Sequence, residues 1–192
     1  MVWGKNMADT LHHVHSRAVQ AIEKGTRLIV IDPRQTDLAA RADLWLRLRP
    51  GSDLALALAM INVIVKEELY DKEFVDKYTL GFDQLSAHIE DYPPERVEEI
   101  TWVPADKIRD AARLYAESKP AAIQWGNGID QGVNSFQTAR AIAILSTPRT
   151  PVRMKACGRR SAAMALVRVR TSASCPITSA KFRGRYLRAR TW

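Results

Sequence analysis

The run Leu28-Ile29-Val30-Ile31 has no polar alternation, so a strand formed by it needs cover on both faces, as in a parallel sheet lying between helical layers. Pro33 lacks a backbone N–H and disfavours helix at the residue before it, which ends that strand at Asp32. A second pattern alternates Leu44, Leu46 and Leu48 with Trp45, Arg47 and Arg49, predicting a strand with one wetter face. Val2-Trp3 reads as the tail of an earlier strand, and residues 121–125 as another buried one. Between these lie helical segments. Residues 10–24 are closed by Gly25, and residues 53–68 are so rich in Leu, Ala, Ile and Val that most of their circumference is buried. Short surface helices are predicted at 72–78, 82–90 and 94–100, and longer ones at 104–117 and about 134–145.

The order strand, Gly turn, helix, strand with a terminal acid is that of a βαβ unit, whose turn and helix start present backbone N–H groups to a phosphate. Here the first turn is Gly4-Lys5-Asn6, and the acid ending the next strand is Asp32. An acid at that place commonly accepts hydrogen bonds from a ribose, although Asp before Pro also forms turns in any protein. The alternating strand runs into a second turn, Pro50-Gly51, followed by Ser52 as N-cap and Asp53 in the first helical turn. Asp53 has a plain reading as a helix-dipole partner, worth about 0.3–1 kcal/mol at a surface. A carboxylate can also take two donors at once, and guanine offers N1–H and its 2-amino group side by side, whereas adenine does not. Gly126-Asn127-Gly128 makes a third strand-to-helix turn.

The ordered set "WGKN", "IDPR", "RPGSD" and "WGNGIDQ", with "TARAIAIL" beyond it, resembles the nucleotide-binding domain of molybdopterin oxidoreductases of the dimethyl sulfoxide reductase family, over nearly all of residues 1–145. The resemblance implies an α/β fold, an incomplete Rossmann-like parallel sheet with flanking helices. It implies a molybdopterin guanine dinucleotide-binding domain at 1–118 and the start of a following α/β segment at 119–145. The implied cofactor is molybdopterin guanine dinucleotide carrying molybdenum or tungsten. Gly4 and Asn6 would face a pyrophosphate, Asp32 the ribose or guanine, and Asp53 the guanine edge. Arg34 and Gly51 belong to the same two motifs, and Gly126, Asn127, Gly128 and Gln131 would lie near the second pterin or the metal. No metal ligand or iron–sulfur region of the family falls within the sequence, which reads as a central piece of a larger enzyme, inactive alone and partnered by the enzyme's remaining domains or subunits.

Composition divides the chain. Residues 146–192 hold 12 Lys+Arg and no acid, so the net +8 splits into −4 before and +12 after. Both cysteines, Cys157 and Cys175, lie in this tail, and two thiols fix no compartment. Where the family would continue into a glycine-rich pterin loop, the sequence reads "STPRTPVRMKACGRR", as a shifted reading frame in a GC-rich gene would produce; the tail is expected to be disordered. The alternative function is a small nucleotide- or nucleic-acid-binding protein using "KFRGRYLRARTW" against phosphates and bases. A complete Rossmann dehydrogenase is disfavoured because the G-x-G-x-x-G fingerprint is missing. The uncharged run 54–65 is too short for a bilayer, which needs ~20 apolar residues. Among His12, His13 and His15 only the first and third share a helix face, which favours a solvated face over a metal site.

Overall fold

A computed structural model describes residues 1–132 and 134–146. Four short strands, β1 (Val2–Trp3), β2 (Ile29–Ile31), β3 (Leu44–Leu46) and β4 (Gln124–Trp125), form one parallel sheet in the order β3-β2-β1-β4. Val2 lies opposite Val30 on one side and Gln124 on the other, and Trp3 opposite Ile31 and Trp125. All carboxyl ends therefore share one edge. The chain steps from β1 through β2 to β3 and then places β4 on the far side of β1, so the winding reverses between β1 and β4. Open α/β sheets bind ligands at such a switch point.

The continuous apolar run behaves as its pattern requires. Val2 and Val30 point into one core, beneath α1 (Met7–Thr10), α2 (His12–Glu23) and α3 (Asp37–Ala40). Trp3, Ile29, Ile31 and Leu46 point into the other, against α4 (Asp53–Lys66). Residues 56–64 of α4 are all buried, because the helix is wrapped in turn by α6 (Phe82–Ile89), α7 (Pro94–Thr101), α8 (Ala105–Glu117) and α10 (Ser135–Ser146). Its one buried polar side chain, Asn62, donates to the Ile89 carbonyl at 2.7 Å. Two short helices, α5 (Lys72–Tyr78) and α9 (Asn127–Asp130), complete the described chain. No helix among the described residues is long and apolar enough to cross a membrane.

Several boundaries depart from the sequence pattern for local reasons. The helix expected over 10–24 breaks at Leu11 (φ −145°), where the Thr10 hydroxyl donates back to the Asn6 carbonyl, a local bond that competes with helix continuation. Ser52 holds the N-cap position of α4 without capping it: its hydroxyl donates to the Arg49 carbonyl at 2.6 Å. The strand expected over 121–125 contracts to Gln124–Trp125, because its one neighbour among the described residues, β1, is two residues long. The Gly126-Asn127-Gly128 turn is largely the opening of α9, with Gly126 at its N-cap. The basic tail with Cys157 and Cys175, from residue 147 on, lies outside the described residues.

Candidate functional site

Three of the expected glycines meet at the switch point. Gly4, at φ +54°, ends β1 and donates its N–H to the Ile31 carbonyl at 2.8 Å. Gly126 donates to Trp3 and Gly128 to Gly4, which ties the turn after β4 to the turn after β1. The approach is close enough to require glycine. A Cβ on Gly128 would stand 2.9 Å from the Gly4 carbonyl oxygen, and one on Gly126 would stand 2.9 Å from the Lys5 side chain. These three N–H groups are consequently spent inside the protein, so an anion at this edge must be held by other donors.

The two strand-end acids serve different purposes. Asp32 is buried, and its Oδ1 accepts from the Arg34 N–H at 2.8 Å, the turn bond expected of Asp before Pro. Its own carbonyl accepts from the Trp45 indole at 2.9 Å. Asp53 is half-buried at the start of α4, where the fully buried Trp3 donates its indole N–H to Oδ1 at 2.9 Å. Burial raises the Asp53 carboxyl above its ordinary value of 3.8, and the charge of Asp32 raises it further, while Trp3 and the N–H groups of Asp53 and Gly51 oppose the shift. Asp32 thus stands near enough along the same edge for its charge to act on Asp53.

A cavity of about 240 Å³ opens beside Asp53, lined also by Gly51, Gly128, Ile129, Asn134, Ser135 and Thr138. Ligand pockets usually run to roughly 300–1,000 Å³, so this one suits a part of a dinucleotide rather than the whole. It brings Gly51, Asp53 and Gly128 together, whereas Gly4, Asn6, Asp32, Arg34, Gly126, Asn127 and Gln131 lie outside its lining. Asn6 gives its amide to Asp9 at 2.6 Å, and Arg34, Asn127 and Gln131 are exposed. Two contributors escaped the sequence reading. Trp3 had one signal, since a buried indole N–H needs a partner; Lys5 had none, since its isolation depends on the fold. Among the described residues no three His, Cys, Asp or Glu side chains converge as a metal site, and His15 instead meets Asp37 at 2.8 Å.

The raised Asp53 carboxyl makes a stability claim. The folded chain holds that proton more tightly than the unfolded chain, so stability falls as pH rises from the ordinary carboxylate range through the raised value. Asp53→Asn keeps an acceptor for Trp3 and abolishes the ionisation. It should melt above the wild type at pH 7, with the gap closing on acidification; a variant less stable at every pH would contradict this origin.

The reversed winding, the covered parallel sheet and the glycine turns and acids on one carboxyl edge define a Rossmann-like domain. Comparison with known proteins makes this specific. A family model described as molybdopterin oxidoreductase matches residues 1–153, and the chain belongs to that family, within its dimethyl sulfoxide reductase branch. It is 48% identical over 125 residues to acetylene hydratase of Syntrophotalea acetylenica, covering 65% of this chain and 17% of that protein. With formate dehydrogenase H of Escherichia coli it shares 43% identity over 145 residues, covering 76% and 20%. The solved acetylene hydratase of Pelobacter acetylenicus superposes with a TM-score of 0.73 at 42% identity, over 77% of this chain and 20% of that one. The chain thus spans about a fifth of the length of these relatives. Membership implies a molybdopterin cofactor with molybdenum or tungsten. The nucleic-acid alternative gains no support from these matches.

Proposed function

We propose that residues 1–146 hold the guanine dinucleotide form of molybdopterin for a molybdenum or tungsten oxidoreductase, together with the enzyme's other domains, and do not turn over alone. The observation that carries the reading is Asp53, held half-buried by Trp3 at the wall of the switch-point cavity. The residues present fit the group: a fixed carboxylate for the guanine edge, closely apposed glycine turns that keep side chains off the edge, and a buried cation without a partner. Asp53 would read the base and Asp32 the ribose. Gly51 and Gly128 would shape the cavity wall, with Gly4 and Gly126 in the turns beside it and Asn6, Arg34, Asn127 and Gln131 farther out.

When bound, the cofactor supplies two-electron or oxygen-atom transfer chemistry at its metal. This chain's residues position it. Names as different as hydratase and dehydrogenase among the relatives favour a task shared across reactions, which holding a cofactor is and selecting a substrate is not. Calorimetric titration of the chain with GDP and ADP tests the reading: tighter binding of GDP supports it, and equal or tighter binding of ADP overturns it.

A further inference from the structure

Lys5 is 7% exposed, and its ammonium nitrogen is enclosed with no hydrogen-bond partner. Lysine is almost never fully buried unless paired, because an ammonium without a counter-charge loses its hydration for nothing. Its stem is fixed by the fold, with Cβ and Cγ packed against Gly126. The anions nearby are otherwise engaged. Trp3 holds Asp53, the Arg34 N–H holds Asp32 and the Asn6 amide holds Asp9, and among the described residues no carboxylate lies within 4.0 Å of Lys5. The N–H groups of Gly4, Gly126 and Gly128 are spent on carbonyls. The carboxyl end of β1 therefore carries one uncommitted cation and no internal anion to match it.

We propose that Lys5 is the phosphate-binding cation of this edge, donating from its ammonium to an oxygen of a diphosphate supplied by the ligand. This rests on the reading that a nucleotide binds at the switch point. A lysine suits the task as a compact point charge with three donors, and rotation of the outer bonds of its four-carbon stem brings it to an arriving anion. The Lys5 charge would then be unpaired only while ligand is absent, and binding would relieve that isolation.

The full chain, titrated in magnesium-free buffer with inorganic pyrophosphate, GDP and guanosine, provides the test, alongside thermal unfolding without ligand. Lys5→Met keeps the stem and removes the charge. Its affinity for pyrophosphate and GDP should fall roughly tenfold to a hundredfold, the loss of one hydrogen bond to a charged group. Guanosine binding should be unchanged, and Lys5→Arg should retain most of the diphosphate affinity. The ligand-free Lys5→Met chain should melt at or above the wild-type temperature, since it sheds an unpaired buried charge. Unchanged pyrophosphate affinity in Lys5→Met, or no pyrophosphate binding by the wild type, overturns the proposal. A lower melting temperature without ligand does so too, by showing a structural role. The guanine reading fails separately: loss of pyrophosphate affinity in Lys5→Met, with the wild type binding ADP as tightly as GDP, supports Lys5 and rejects guanine recognition. Retained GDP preference with Lys5→Met insensitivity does the reverse.

Discussion

Gly128→Val is expected to lower the stability of the chain by about 1–3 kcal/mol or more, the usual cost of forcing atoms into a packed site. The new Cβ would stand 2.9 Å from the Gly4 carbonyl oxygen and 3.1 Å from the Gly4 Cα, both backbone atoms with no rotamer to change. Relief requires the turn after β4 to move away from β1, which breaks the Gly128-to-Gly4 hydrogen bond and pulls Gly128 from the cavity wall beside Asp53. Nucleotide binding should fall together with stability. Gly132→Ala is the matched control, since a Cβ there meets its nearest atom at an ordinary 3.5 Å. Urea midpoints for the two variants should separate clearly; equal midpoints would show that the apposition of the two turns is not rigid.

The second large effect belongs to Trp3. It is fully buried between the sheet and the α4 side of the core, and truncation to Ala should cost about 3–5 kcal/mol, a large fraction of the roughly 5–15 kcal/mol that holds a domain folded. Trp3→Phe separates packing from chemistry. It retains an aromatic ring but removes the N–H that donates to Asp53 Oδ1. That donor favours the ionised carboxylate, so without it burial should push the Asp53 carboxyl further upward. A ligand that needs the charged form would then lose affinity at a higher pH than in the wild type. Following GDP binding from pH 7 downward in both proteins measures the displacement, and superimposed profiles would mean that Trp3 does not tune Asp53.

What could be read in the sequence was what local pattern controls. The unalternating Leu28–Ile31 run foretold a sheet covered on both faces, and the structure sends Ile29 and Ile31 to one core and Val30 to the other. The helix over Lys72–Tyr78 has the bounds its pattern gives, and Pro94 opens α7 at its first position. Ser52 was legible as an N-cap position, yet its hydroxyl finds the Arg49 carbonyl instead, a choice that depends on the conformation of the preceding turn. The site lies mostly beyond local pattern. Trp3 and Asp53 are 50 residues apart, and nothing in either segment specifies the other. That β4 pairs with β1 rather than β3 is a matter of topology, and it alone brings Gly126 and Gly128 onto Gly4. Lys5 looked like an ordinary turn residue because enclosure without a partner is a property of the folded surroundings, not of the motif.

Guanine recognition by Asp53 is tested most directly by measuring the affinities of the chain for GDP and IDP, which differ only in the 2-amino group, in the wild type and in Asp53→Asn. One hydrogen bond to a charged group corresponds to roughly tenfold to a hundredfold in affinity. The wild type should favour GDP by that factor, and Asp53→Asn should bind the two nearly equally, because the amide presents a donor where a second acceptor is needed. A GDP preference of the same size in both proteins would contradict a base-reading Asp53 and leave it a charge at the start of α4.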